Sequence, residues 1–158
     1  MREGSASVER RRSAARRVDS GLGTALARVG DRWTLLIVQA LLDGPRRFNE
    51  LSGDLGGIAS NVLSQRLRQL ETDGLIVSAP YSERPIRLAY ELTATGAALA
   101  GALRLLAHWG SDHGAGSAQD AATPFVHQAC GTPTEPRWWC STCDRMLEDD
   151  ELDEVRWI

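Results

Sequence analysis

The chain has 158 residues, 42% of them hydrophobic, enough to bury a core, and no run of about 18 apolar residues that would suggest a membrane span. Its opening MREGSASVERRRSAARRV is Arg-rich without an apolar h-region, which speaks against a secretory signal and for a cytoplasmic protein. The formal charge of −3 is unevenly spread: residues 1–113 carry 15 Arg against 12 acids and residues 114–158 only 3 Arg against 9, so the acidic total does not exclude a nucleic-acid partner.

Residues 1–19 form an Arg-rich arm in which Arg10, Arg11, Arg12, Arg16 and Arg17 read either as a solvated or helical extension or as an arm reaching onto DNA. Every basic residue of the chain is Arg, which reflects coding bias more than mechanism. Asp31 then stands where an N-cap belongs, ahead of an apolar stripe of Trp33, Leu36, Ile37, Ala40 and Leu41 that stops at Gly44-Pro45. Phe48, Leu51 and Leu55 mark a short helix, and Gly56-Gly57 supplies a tight turn from which the next helix leaves at a steep angle.

The helix expected over 60–73 has two different sides. Leu63, Leu67 and Leu70 recur at i, i+4, i+7, while Asn61, Ser64, Gln65 and Arg68 recur at i, i+3, i+4, i+7 on nearly the opposite face. An amphipathic helix of this kind can be only a solvated surface. The polar types are nevertheless those that suit groove edges: Asn and Gln pair bidentately with adenine, Arg with guanine, and Ser with base or phosphate. After Gly74, a left-handed stop, LIVSAP and IRLAYEL read as two strands around a loop from Tyr81 to Pro85, tipped by Arg84 and followed by Arg87. Helix, helix, polar-faced helix and Arg-tipped hairpin, in that order, predict a mainly α fold with a small β wing, the winged helix-turn-helix. The candidate DNA contacts are Ser60, Asn61, Ser64, Gln65, Arg66, Arg68, Arg84 and Arg87.

Thr93 reads as an N-cap, and Leu99, Leu103 and Leu106 follow at i, i+4, i+7 with Trp109 continuing the seam. Ala97, Ala98, Ala100 and Ala102 would let another helix approach closely, so this stripe predicts a dimerisation helix, a cover for its own domain, or both. A dimer would set two recognition helices about one DNA turn, roughly 34 Å, apart. Residues 20–113 would make this domain. A Gly/Ala/Ser-rich linker over 114–123 leads to a second module, 124–158, with a different composition.

That module holds His127-x2-Cys130, a nine-residue gap and Cys140-x2-Cys143, and the chain has no other Cys. Two knuckles separated by a hairpin-length insert suit tetrahedral Zn²⁺, and we expect a structural zinc ribbon with Phe125, Trp138 and Trp139 around the ion. Asp144 or a water could stand in for His127 as fourth ligand. A redox pair at Cys140 and Cys143 is the competing reading, without the βαβ setting such a pair usually has. The tail EDDELDEV, six acids in eight residues, would face away from phosphate; folding over the reading face as a DNA mimic is a sharper alternative.

The stretch GDRWTLLIVQALLDGPRRFNEL, the SNVLSQRLRQLETDGLI helix and the YSERPIRLAYELTATG wing together resemble the HxlR-type winged-helix regulators, relatives of the MarR group, over about Ser20 to Gly110. The resemblance implies a homodimer on a pseudo-palindromic operator, with dimer contacts from a first helix near Leu22 to Val29 and from the helix after the wing. The implied interface is Leu22, Leu26, Leu99, Leu103, Leu106 and Trp109. Many relatives carry a Cys just before the first helix, some using it as a redox sensor; Ser20 stands there, so that switch is unavailable. The expected function is a dimeric transcription regulator, a repressor by occupancy, with a small-molecule effector conceivable in a cavity lined by Trp33 and Trp109. The alternative is a zinc-ribbon adaptor using the winged helix as a docking platform. No nucleophile and base pair, phosphate-binding Gly loop or open metal site points to an enzyme.

Overall fold

A computed structural model of the chain describes residues 20–83, 86–113, 126–135, 137–148, 150–151 and 155. The Arg-rich arm, Arg84, Phe125 and the predicted linker lie outside the described residues. The chain divides into two compact units, Met1–Leu103 and Arg104–Ile158. The division falls inside the last helix and not after His113, where the sequence suggested a boundary; no residue of that helix is buried.

In the first unit, α1 (Gly21–Val29) starts at Ser20, whose hydroxyl accepts from the Gly23 N–H at 3.0 Å. Helix α2 (Arg32–Leu42) starts at Asp31, whose carboxylate accepts from the N–H groups of Trp33 and Thr34 at 3.0 and 3.3 Å, the N-cap read from sequence. The buried side of α2 is Thr34, Ile37, Val38 and Leu41, the i, i+3, i+4, i+7 set. The stripe expected from sequence was turned slightly off this face: Leu36 is 39% exposed, and Trp33 and Ala40 pack at the edge of the core.

A two-residue strand β1 (Arg46–Arg47) precedes α3 (Phe48–Asp54), and α4 (Ser60–Thr72) follows the Gly56-Gly57 turn. Both turn glycines have positive φ, +37° and +84°, a backbone that side-chain-bearing residues adopt at a cost. Strands β2 (Ile76–Glu83) and β3 (Ile86–Leu92) form the wing, and β1 adds a third antiparallel strand, in the order β1-β3-β2. The wing is longer than its sequence suggested. Ladder pairing runs through Ser82↔Arg87 and Glu83↔Ile86, because the register shifts between Pro80 and Ser82 and Tyr81 is taken up as a bulge.

Leu63, Leu67 and Leu70 of α4, Leu51 of α3, Ile37 and Val38 of α2 and Ile76 of β2 are all but inaccessible and make one core. Burial of a side chain of this size contributes about 1.5–3 kcal/mol, so the leucine stripe of α4 fixes which side of that helix remains for solvent. After the wing, Thr93 caps a short α5 (Ala94–Ala97), and α6 (Ala100–His113) begins three residues on. The sequence predicted one continuous helix here. The second unit holds a small hairpin of β4 (Trp139–Cys140) and β5 (Arg145–Met146) and an isolated bridge between Val126 and Pro133.

Candidate nucleic-acid interface

The arrangement that could meet a duplex is built outward from α4. Ile58, 7% exposed, anchors the chain after the glycine turn; Ser60 is exposed at the helix start, and Asn61, Gln65 and Arg68 stand exposed on the side opposite the leucines. Ser64 is half-buried and its hydroxyl donates to the Ser60 carbonyl at 2.8 Å, leaving its lone pairs for a donor. Ala59, the N-cap, supplies no side-chain acceptor to the first turn, so backbone N–H groups at that end are available to an anion. Two contacts secure the far end: Gln69 donates to both oxygens of Asp73 at 3.1 Å, and Arg28 of α1 donates to the Asp73 carbonyl at 2.7 Å.

Arg66 stands elsewhere. Its Nε lies 3.1 Å from one Asp31 oxygen and its terminal nitrogen donates to the other at 3.2 Å, so the guanidinium grips the residue that caps α2. The sequence grouped Arg66 with the candidate DNA contacts; the structure sets it on another side of the helix, paired with Asp31. The helical wheel carried the signal: at 100° per residue Arg66 lies about 150° from the middle of the Asn61, Ser64, Gln65 and Arg68 arc, beside Leu63 and Leu70. Here it braces α4 against α2.

Arg87 is exposed on β3, and Arg84 lies outside the described residues. Sequence reasoning passed over Arg46 and Arg47. Arg47 sets its guanidinium 4.1 Å over the ring of the bulged Tyr81 and its backbone N–H donates to Glu50 at 2.7 Å, tying the wing to the start of α3. Arg46 pairs with Asp54 across 3.9 Å. The only signal was two arginines after Pro45, which has no strand periodicity. Tyr90, opposite Arg46 and Ser78 in the sheet, has its phenol pushed above the ordinary range by burial and then by the charge of Glu71, with Arg68 acting against both.

The expected interface residues separate into two groups. Leu22 and Leu26 are each 55% exposed on α1, whereas Leu99 and Leu103 pack against the domain's own core. Leu106 and Trp109 are exposed, with Leu105 beside them in sequence, and the Trp109 ring stacks on His113. Trp33 is half-buried with Arg32 over its ring at 4.1 Å.

In the second unit His127 and Cys130 are neighbours, Nδ1 to Sγ 3.3 Å, and the Cys140 and Cys143 thiols are hydrogen-bonded to each other. Hydrogen bonds from Thr132 draw the Cys130 thiol below its usual range; Cys143 does the same for Cys140, and its own thiol is raised in consequence. Among the described residues, no three His, Cys, Asp or Glu side chains stand together as one ligand set. The structure thus gathers the four predicted ligands as two pairs.

Comparison with known proteins agrees with this architecture. Residues 28–117 match the family model of the HxlR-like helix-turn-helix. The chain is 39% identical over 126 residues to an uncharacterised HTH-type transcriptional regulator of Mycobacterium tuberculosis, Rv3095, covering 80% of this chain and 78% of that one. Among solved structures, the reduced form of the transcriptional regulator YodB from Bacillus subtilis superposes with a TM-score of 0.53 at 30% identity, covering 60% of this chain and 94% of that one. PA1607, a candidate transcription factor, superposes with a TM-score of 0.73 at 28% identity over 88% of this chain and 94% of its own. With its family model spanning more than half its length and a glycine turn presenting a two-sided helix, this chain belongs to the HxlR-like helix-turn-helix family of DNA-binding transcriptional regulators.

Proposed function

We propose that the protein is a homodimer that represses transcription by occupying a pseudo-palindromic operator. Helix α4 enters the major groove with Asn61, Gln65 and Arg68 toward base edges and with Ser60 and Ser64 near the backbone. The wing, through Arg87 and the adjoining Arg84, lies on neighbouring phosphates or in the minor groove. The observation that carries this reading is the division of α4: leucines fully buried on one side, and Asn61, Gln65 and Arg68 exposed on the other. Leu22 and Leu26, apolar and exposed at i, i+4, support a second copy as partner. Repression follows from occupancy alone, whereas activation requires a further polymerase contact. Its place is with the chromosome, in the cytoplasm.

The test is selection of purified protein against a random duplex library near physiological salt. The expected product is a two-fold sequence with half-sites about one turn apart. Gln65→Ala and Arg68→Ala should each cost about 1–3 kcal/mol at one base position and relax preference there. Folded protein that enriches no sequence overturns the reading and favours the docking-platform alternative.

A further inference from the structure

The second unit contains the same small structure twice. Val126 pairs with Pro133 as Trp139 pairs with Met146. One residue further in, the His127 N–H donates to the Thr132 carbonyl at 2.9 Å, and Cys140 is registered with Arg145. At the turn, the Gly131 N–H donates back to the His127 carbonyl at 2.7 Å, as that of Asp144 does to the Cys140 carbonyl at 2.9 Å. Both turns end on a left-handed residue, Gly131 at φ +69° and Asp144 at φ +54°. Every one of these positions repeats at an interval of thirteen residues, and so do the polar side chains: His127 with Cys140, and Cys130 with Cys143. Asp144 is the one non-glycine residue with positive φ among the described residues, an unfavourable conformation retained where the chain must fold back directly after a cysteine.

We propose that these turns are the two halves of a zinc site, in which His127 and Cys130 from one knuckle and Cys140 and Cys143 from the other hold a single structural Zn²⁺. Three observations support it. First, the His127/Cys130 pair already stands close to the edge of a coordination tetrahedron. Zn–S and Zn–N bonds of ordinary length set an N to S edge of about 3.6 Å, and His127 Nδ1 lies 3.3 Å from Cys130 Sγ. Second, the described residues of the module form no buried core. Among the described residues from 126 to 155 none is buried, and Val126, Trp138, Trp139 and Met146 are each at least half exposed. Isolated two-stranded hairpins are marginal in water, and segments of this size fold on a metal or on disulfides. Third, disulfides do not answer the need: all three cysteines are free, and a Cys140–Cys143 bridge would close one knuckle on itself without joining it to the other. An ion shared between the knuckles joins them, and drawing the two pairs onto it is the rearrangement that the metal drives. The three thiols bind as thiolates, so up to three protons leave as the ion enters, and affinity falls as pH falls.

The test is metal analysis of the full-length protein, purified reduced from zinc-supplemented cells. The expected result is one zinc per chain, released by a thiol-specific mercurial, and, after exchange with Co²⁺, the intense visible bands of a tetrahedral thiolate complex. Cys143→Ser should lose the stoichiometric metal, and His127→Ala should weaken binding roughly tenfold or more. Both variants should keep the wild-type helical circular dichroism, because the winged helix has its own core. Substoichiometric zinc in the reduced wild type, an octahedral cobalt spectrum, or full zinc retained by Cys143→Ser would each overturn the proposal. A Cys140–Cys143 disulfide in the metal-free native protein would do so as well and would restore the redox-pair reading.

Discussion

Asp31 does two jobs whose energies are separable. Its carboxylate closes the start of α2 and also receives the Arg66 guanidinium from α4, linking the two helices. Asp31→Ala should cost about 1–2 kcal/mol, mostly the lost cap. Asp31→Asn, which keeps a capping oxygen and loses the ion pair, should cost less than about 1 kcal/mol because both side chains are about a third exposed. Urea unfolding of the two variants separates the terms; equal losses would mean that the pair matters as much as the cap. Asp31's cap was legible from its place before an apolar run, but its partner was not, since 35 residues separate the two. In the second unit Arg145 bonds Glu151 through both terminal nitrogens, one at 2.7 Å, and holds that carboxyl down to about 2 from 4.5. A carboxylate lowered in the folded state contributes stability that is present above its unfolded value and is lost as pH falls from about 4.5 toward 2. Side-chain NMR should place the Glu151 midpoint near 2, and Arg145→Ala should raise it toward 4.5, the Glu148 N–H still holding it below that value.

At the scale of elements, the breaks are more informative than the spans. The sequence ran one helix from Thr93 through Trp109, and the structure interrupts it between Ala97 and Ala100. The first piece is fixed from outside: the Thr93 hydroxyl donates to the Gly74 carbonyl at 2.7 Å, and Gly96 is so close to the Leu75 backbone that a Cβ there would collide with the Leu75 carbonyl oxygen. Gly96→Ala should therefore destabilise the domain by about 1–3 kcal/mol despite the better helix propensity of Ala. A neutral or stabilising result in thermal unfolding would show that α5 shifts freely. The wing makes the same point. Alternation in LIVSAP and IRLAYEL showed two strands, but the extra length comes from the Tyr81 bulge, and β1 from pairing Arg46 and Arg47 with Tyr90 and Ala89, partners that no local pattern reveals.

At the scale of the whole molecule, the proposed homodimer rests on α1. It buries only Val29 within its own domain and leaves Leu22 and Leu26 outside, which an isolated copy would gain nothing by exposing. Leu22→Glu with Leu26→Glu should give monomers in sedimentation, with fold and thermal midpoint close to wild type, and should lower affinity for a two-fold operator by about 10²-fold or more as the second half-site is lost. A variant that remains dimeric would move the interface to the exposed Leu105, Leu106 and Trp109 of α6. By itself the sequence determined the winged-helix class, the caps at Asp31 and Thr93, the glycine turn, the leucine stripe of α4 and the two pairs His127/Cys130 and Cys140/Cys143. These are local: period, cap chemistry and ligand spacing are set by neighbours along the chain. Only the tertiary structure decided that Arg66 serves Asp31, that α2 turns Leu36 outward and Val38 inward, that Leu99 and Leu103 face their own core, and that two turns thirteen residues apart are copies of one another. Each depends on what lies across space from a residue, and many sequence-distant partners satisfy the same periodicity until packing selects one.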